Sequence, residues 1–262
     1  MRIDISRPEP YIALVTINNP ARRNALSSAG FHGLAAAWRQ LGSDPSVRCI
    51  VVTGEGSQAF CSGAQLDADF SAEPAVDDMV DAALLKTGLL GKPLVAAVNG
   101  HCVAGGFELM LACDLRVVSE QALLGLPEVR WAIVPSGGGA MKLIEQIGHA
   151  RAMQLMLTAE LVSAATALDF GLVNSVVPAG DVLETALAFA RRIASNSPLA
   201  VYMTKQSALA GRSLGWQALE ADERARVRIV RESSDVQIGR RAFLDKTLPA
   251  YPDYPDYPCS PG

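Results

Sequence analysis

The glycine-rich turn near residue 105 has the residue types to perform chemistry. An apolar run between Pro93 and Gly100 predicts a short buried strand, and Gly105-Gly106, followed by Phe-Glu-Leu-Met-Leu, predicts a turn from strand into helix. Backbone N–H groups at the start of a helix have no partner within the helix and lie at the positive end of its dipole. Such a turn can therefore hold an anion or a developing oxyanion.

Two glutamates, Glu108 and Glu128, lie next to turns of this kind, twenty residues apart in the sequence (128 − 108). Glu108 falls in the first turn of the predicted helix, and Glu128 directly follows Pro127. An acidic residue in either place can simply stabilise a helix N-terminus. Taken alone, each glutamate is best explained in that structural way.

A second turn with small residues precedes this one. Residues 47–53 predict a strand that ends at Gly54, and Gly63 follows among small neighbours in the segment from Ala59 to Asp67. In isolation the segment is a tight turn that needs glycine. Because a similar strand-turn-helix unit recurs at 94–111, both units are candidates for positions where backbone must approach a ligand.

Two arginines, one histidine and three apolar residues allow two interpretations each. Arg22 and Arg23 follow the Asn-Asn-Pro turn at 18–20, and they are either a solvated pair or an anchor for ligand phosphates. His101 has no evident Ser or Asp partner, which favours a packing role over a catalytic one. The apolar residues Trp131, Ile133 and Met79 either line an acyl pocket or belong to the core, and the core is preferred for Ile133.

Composition limits the class of protein. The chain has 262 residues, of which half are apolar, so it can bury the core of one α/β domain, with or without an appendage. Its five cysteines are odd in number and lack metal-ligand spacing, which predicts reduced thiols, no metal site and a cytoplasmic protein. A net charge of −4 argues against a nucleic-acid surface, and we expect neither a signal peptide nor a membrane span.

Strand and helix patterns alternate to about residue 181, and only helical patterns follow. We therefore predict a core domain at 1–195, a C-terminal helical module at 196–250 and a Pro-rich extended tail at 251–262. The predicted strands cover 11–17, 47–53, 94–98, 122–126 and 172–178. The first predicted helix ends near residue 41. Further helices are predicted over 67–90, 106–111, 139–147, 150–158, 163–170, 181–195, 198–210, 215–233 and 234–246.

Several segments together make the chain similar to the crotonase superfamily, the enoyl-CoA hydratase/isomerase family. The matching segments are Asn19-Pro20 with Asn24-Ala25-Leu26, the stretch from Ala59 to Ala64, Lys92-Pro93 to Asn99-Gly100 with Ala104 to Leu109, Cys113-Asp114, Pro127-Glu128, Pro135 with Gly138-Gly139, and Gly171 to Pro178. Each segment alone is weak evidence, but their order and spacing over nearly the whole chain are specific.

The resemblance implies a fold and an activity. The fold is an α/β spiral of β-β-α turns with a C-terminal helical trimerisation module, so a homotrimer or a dimer of trimers is expected. The implied oxyanion hole consists of the N–H groups of Ala64 and Gly105. In the implied hydratase reaction Glu108 holds and activates water, and Glu128 donates a proton to the α carbon of an enoyl-CoA. No separate cofactor is implied, since coenzyme A enters as part of the acyl-CoA substrate.

Departures from the usual hydratase pattern affect substrate binding more than catalysis. Gln65 stands where an acidic residue is frequent, Asp67 stands where a lysine can assist coenzyme A, and the glycine-rich turn begins with Ser136, whose N–H can still bind water. The residues expected to bind the substrate are Arg22, Arg23, Ala25, Ser62, Gln65, Leu66 and Ser136. Two alternatives remain: an enoyl-CoA isomerase or other crotonase-type enzyme, and a non-catalytic scaffold that binds acyl-CoA or RNA.

Overall fold

Two sheets form the centre of the molecule in a computed structural model that describes residues 1–65, 76–88, 90–212 and 214–253. The first sheet has the strand order β1-β2-β3-β5-β7-β10, and the second has the order β4-β6-β8-β9. The strands are β1 Arg2–Glu9, β2 Ile12–Asn18, β3 Cys49–Gly54, β4 Ala59–Cys61, β5 Leu94–Val98, β6 His101–Val103, β7 Leu115–Ser119, β8 Leu123–Gly125, β9 Val162–Ser163 and β10 Ser175–Val177.

From β3 to β8, consecutive strands alternate between the two sheets, and this alternation is the organising feature of the fold. β3, β5 and β7 are parallel neighbours in the first sheet, whereas β4, β6 and β8 are parallel neighbours in the second. Each turn of chain thus adds one strand to each sheet before a helix closes it, which is the β-β-α spiral that the resemblance implied. The stacking of successive turns brings the connections after β4 and β6 side by side.

Ten helices complete the described part of the chain. They are α1 Ser28–Ser43, α2 Val76–Ala83, α3 Gly105–Ala112, α4 Gly139–Ile147, α5 His149–Thr158, α6 Ala164–Asp169, α7 Val182–Ala194, α8 Pro198–Ala210, α9 Trp216–Glu232 and α10 Ser234–Asp245. The main core lies between the sheets and the helices α1 and α3. No helix in these ranges combines the length and the apolar character that a bilayer crossing requires.

Three sequence predictions about elements need correction. The helix predicted over 67–90 ends at Ala83, because the carbonyls of Leu84 and Leu85 accept hydrogen bonds from the buried amine of Lys142 while Leu85 adopts a positive φ of 51°. Its first part, 67–75, lies outside the described residues. The strand predicted over 172–178 is only Ser175–Val177. The strands β4, β6, β7 and β9 were not predicted, because β4, β6 and β9 have only two or three residues and the apolar run of β7 is interrupted by Arg116.

Arg116 is buried inside that strand, which explains how a charge is tolerated there. Its guanidinium donates to the carbonyls of Met110, Leu111, Cys113 and Leu172 at 2.8–3.2 Å. A buried cation is acceptable when all its donors have partners. The residue therefore ties the end of α3 to the segment before β10 and has no free group for chemistry.

The C-terminal helices divide into two groups. Helix α7 packs its face of Val182, Ala186 and Ala190 against residues of the first sheet. Helices α8 and α9 pack against each other, with Leu199, Tyr202 and Met203 in a separate small cluster. The division at 195 and 196 stays a prediction, and the tail from 254 onward lies outside the described residues.

Candidate active site

Two glycine turns touch at the site. A methyl group built on Gly63 would lie 3.0 Å from the backbone nitrogen of Gly105, and one built on Gly105 would lie 3.9 Å from the backbone nitrogen of Ala64. Gly63 has a φ of +86°, a conformation that side chains rarely adopt. The small residues are therefore required because two main chains approach each other closely here, as the recurring turn pattern predicted.

The N–H groups of Ala64 and Gly105 are positioned by different elements. Leu26 donates to the carbonyl of Gly63 at 2.7 Å and accepts from the N–H of Gln65 at 2.9 Å, so the N–H of Ala64, between them, points away from Leu26. Gly105 begins α3, whose first N–H groups have no partner within the helix. Both residues border one cavity, so two residues from separate turns meet at a common space.

Glu108 is buried and held by backbone amides. Its Oε1 accepts a hydrogen bond from the N–H of Gly139 at 2.9 Å, and the N–H of Gly137 also bonds its carboxylate. Burial raises the pKa of Glu108, whereas these two amides and the nearby amine of Lys142 oppose that rise by stabilising the charged form. Methyl groups on Gly137 or Gly139 would lie within 3.0 Å of this side chain, so the triple glycine makes room for the carboxylate.

Glu128 has a different environment from Glu108. It begins the short 3-10 segment Glu128–Trp131 and is buried, and its Oε2 has no hydrogen-bond partner among the described residues. Burial raises the pKa of Glu128 to about 7, and the charge of Glu108 contributes further to the rise. The two carboxyl groups therefore differ: amides support the ionised form of Glu108, and the surroundings of Glu128 favour a protonated acid.

Both glutamates and both backbone donors line the same cavity of about 390 Å³. Its remaining wall is mostly apolar, and the lining includes the predicted residues Ser62, Ser136, Trp131 and Ile133. Trp131 and Ile133 are 62% and 43% exposed, so the preference for placing Ile133 in the core was wrong. Met79 is buried in the main core and does not border the cavity.

Of the described residues predicted to contact coenzyme A, Ser62 and Ser136 border this cavity, and Arg22, Arg23, Ala25 and Gln65 do not. The hydroxyl of Ser62 donates to the carbonyl of Arg22 at 3.4 Å, and the side-chain amide of Gln65 donates to the carbonyl of Ala25 at 3.4 Å. Arg23 borders a separate groove with Glu55 and Gln58. Leu66 lies outside the described residues. Binding of coenzyme A by these residues stays a prediction.

His101 has the structural role that its isolation suggested. It lies in β6, and its Nδ1 accepts a hydrogen bond from the N–H of Leu123 in β8 at 3.1 Å. The cysteines 49, 61, 102 and 113 are buried and free, which agrees with the reduced thiols that were predicted, and Cys259 lies outside the described residues.

Lys142 is a buried residue at the site that sequence analysis passed over. Its amine donates to the carbonyl of Leu85 at 2.8 Å and more weakly to those of Leu84 and Gly137. Burial lowers the pKa of Lys142 to about 8, and the charge of Glu108 opposes this shift. The sequence did contain a signal for this residue. Lys142 lies directly before an apolar residue, in the first turn of a helix that follows glycines.

The fold and the site together define a class of enzyme. Its members are α/β spirals in which two backbone donors and two carboxyl groups in different environments surround one cavity. The sequence profile of the enoyl-CoA hydratase/isomerase family matches residues 8–254. The chain thus belongs to the enoyl-CoA hydratase/isomerase family, within the crotonase superfamily.

Named relatives and a solved structure agree with that family. The chain is 37% identical over 250 residues to enoyl-CoA hydratase EchA19 of Mycobacterium tuberculosis, covering 92% of this chain and 93% of the relative. It is 35% identical over 242 residues to 2,3-dehydroadipyl-CoA hydratase of Escherichia coli, covering 92% and 94%. The crystal structure of an enoyl-CoA hydratase from Bacillus anthracis superposes with a TM-score of 0.91 at 32% identity, covering 96% of this chain and 99% of that one.

Proposed function

We propose that this protein is an enoyl-CoA hydratase that adds water across the trans-2 double bond of an acyl-CoA thioester. The observation that carries the proposal is the difference between the two carboxyl groups in one cavity. Glu108 is bonded by backbone amides, whereas Glu128 has an unpaired oxygen and a pKa raised to about 7. Hydration needs a base for water and an acid for the α carbon, and unequal environments supply one of each.

The proposed reaction proceeds through an enolate. Glu108 takes a proton from water while the water oxygen bonds to the β carbon, and the electron pair of the double bond moves onto the thioester oxygen. The N–H groups of Ala64 and Gly105 stabilise the resulting negative charge. When the enolate collapses, its α carbon takes the proton of Glu128, and the product is a 3-hydroxyacyl-CoA. Loss of one such backbone donor costs about 3 kcal/mol of transition-state stabilisation in acyl-transfer enzymes.

The main alternative is an enoyl-CoA isomerase, which moves a double bond without adding water. Such a reaction needs one proton-transfer group, whereas this cavity holds two buried carboxyl groups. The hydrogen bonds from backbone amides to Glu108 favour hydration, since they stabilise a charged base beside the acid Glu128. A non-catalytic scaffold is less favoured, because two buried acidic side chains destabilise a fold unless they serve a purpose.

Mass analysis of the products separates these alternatives. Purified protein is mixed with trans-2-hexenoyl-CoA or with trans-3-hexenoyl-CoA, and the thioesters are resolved by chromatography and mass spectrometry. A hydratase converts the 2-enoyl substrate into a product heavier by one water. Interconversion of the two enoyl thioesters with no gain in mass indicates an isomerase. Binding of both without any conversion indicates a scaffold.

We also propose that copies of this chain associate through the C-terminal helices. Large apolar side chains are exposed in this part of the chain: Trp216 in α9 is 80% exposed, Phe243 in α10 is 83% exposed and Leu248, just after α10, is 95% exposed. Exposed apolar residues at such density mark an interaction surface in a soluble protein. Sedimentation of the purified chain tests whether a trimer or a dimer of trimers forms. The cytoplasmic location stays a prediction.

A further inference from the structure

The acyl end of the cavity has a charge pattern that bears on the choice of substrate. Helix α2 presents Val76 and Val80 to the cavity, and Leu84, directly after the helix, lies on the same face because its N–H donates to the carbonyl of Val80 at 2.9 Å. Asp77 lies on the same side of the helix, because it precedes Leu84 by seven residues, which is two helical turns. The side chain of Leu84 abuts the position of Gly105, so this face of α2 runs outward from the reacting groups.

Asp77 therefore lies away from the reacting groups, in the part of the cavity that an acyl tail would occupy. Seven residues of helix rise by roughly 10 Å, which separates Asp77 from the reacting groups by the length of a medium acyl chain. The cavity lining also includes the apolar residues Trp131, Ile133 and Val134, all of which are partly exposed. An acyl tail that leaves the reacting centre thus passes between apolar side chains and then meets a carboxylate.

No described residue of the lining supplies a positive charge. Its charged members are Asp77, Glu108 and Glu128, and it contains no Lys, Arg or His. The basic residues that lie close by in sequence are engaged elsewhere. Lys86 pairs with Asp81 at 3.1 Å, Arg130 donates to the carbonyl of Ala159 at 3.1 Å, and Lys142 donates to the carbonyl of Leu85.

We infer that the enzyme accepts uncharged acyl chains and rejects acyl chains that end in a carboxylate, and that Asp77 is a specificity-determining residue for this choice. A terminal carboxylate would lose water against the apolar wall and would meet a like charge with no cation to pair it. The inference rests on the proposed hydratase function. It separates this chain from its relative named 2,3-dehydroadipyl-CoA hydratase, whose named substrate ends in a second carboxylate.

Matched substrate pairs of equal carbon number test the inference. The first pair is trans-2-hexenoyl-CoA with 2,3-dehydroadipyl-CoA, and the second is trans-2-octenoyl-CoA with its eight-carbon terminal carboxylate. We expect the wild-type protein to prefer the uncharged member at least about tenfold in kcat/KM. Asp77→Asn should narrow that preference roughly three- to fivefold, the range expected for a solvent-accessible charge pair.

Asp78→Asn is the control variant, because Asp78 is also exposed in the first turn of α2 and does not border the cavity. It removes the same charge and should leave the substrate preference unchanged. Equal kcat/KM for the two members of each pair would overturn the inference. An effect of Asp78→Asn as large as that of Asp77→Asn would also overturn it, since it would show a general effect of net charge.

Calorimetric binding of the saturated thioesters keeps this test separate from the proposed function. Hexanoyl-CoA should bind more tightly than adipyl-CoA to the wild-type protein, and Asp77→Asn should reduce the difference. If this binding preference is found but no 2-enoyl substrate gains water, the hydratase proposal fails while the acyl-site inference holds. If hexenoyl-CoA is hydrated but adipyl-CoA binds as tightly as hexanoyl-CoA, only the inference fails.

Discussion

The backbone N–H of Gly139 lies 2.9 Å from Oε1 of Glu108 and donates a hydrogen bond to it. This contact joins the first residue of α4 to the first turn of α3, although 31 residues separate them in the sequence. Every substitution other than proline keeps the backbone N–H, so the contact gives Glu108 a donor that is fixed by the fold. The position of the carboxylate therefore depends on the absence of a side chain at Gly139.

Gly139→Ala should reduce turnover strongly. The added methyl would lie 2.9 Å from Oε1 and 3.0 Å from Cγ of Glu108, so the carboxylate must move from its amide donors. We expect kcat to fall by about tenfold to a thousandfold, the range for a misplaced acid-base group. Gly180→Ala is the control, because no atom lies within 4 Å of its added methyl. Comparable kcat values for the two variants would contradict the account.

The pH dependence of kcat/KM should be bell-shaped. Activity should rise on the acid side as Glu108 ionises, at a pH above the ordinary range of a glutamate because burial raises its pKa. It should fall as the pH rises through about 7, because Glu128 then loses the proton that it donates. The two limbs belong to a coupled pair. Values of kcat/KM that stay constant between about pH 5 and about pH 9 would contradict these roles.

Stability should respond to the same group with a definite sign. The pKa of Glu128 is about 7 in the folded protein and 4.5 ordinarily, so the folded state binds its proton more tightly than the unfolded state. The free energy of unfolding should therefore decrease as the pH rises from 4.5 to about 7. Glu128→Gln should remove this part of the slope in urea unfolding. Glu120→Gln, at an exposed glutamate, should leave the slope as in wild type.

Lys142→Met tests whether the buried amine supports the site electrostatically. Without this cation the pKa of Glu108 should rise further, so the acid limb of kcat/KM should move to higher pH. The protein should also lose about 1–3 kcal/mol of unfolding free energy, since the carbonyls of Leu84 and Leu85 lose their donor. Lys142→Arg keeps the charge and should shift the limb less. An unmoved limb in Lys142→Met would assign the lysine to folding alone.

The sequence predicted the elements whose signals are local. The capped helix after Ser163 is an example, because the Ser163 hydroxyl accepts from the N–H of Thr166 as a helix cap does. The strand-turn-helix unit at 94–111 is another, since Pro, Gly and an apolar run mark its bounds. The assignment of consecutive strands to two sheets came from the family resemblance, because strand pairing depends on contacts between distant residues.

The sequence predicted which residues form the candidate site, but it did not predict the geometry of the site. Ala64, Gly105, Glu108 and Glu128 were named from motifs, and the structure brings all four to one cavity. Their different hydrogen bonding could not be inferred, since the donor at Gly139 reaches Glu108 only through the packing of α4 on α3. Asp77 was passed over because acidic residues at 67–81 are typical of a solvated helix face.

The most direct test of the central claim is the hydration rate of trans-2-hexenoyl-CoA in wild type, Glu108→Gln and Glu128→Gln, with hexanoyl-CoA binding measured alongside. We expect each substitution to lower kcat by about a hundredfold to ten-thousandfold, while the Kd for hexanoyl-CoA changes little. Full hydration activity in either variant, with unchanged binding, would contradict the claim that the two carboxyl groups act together on one substrate.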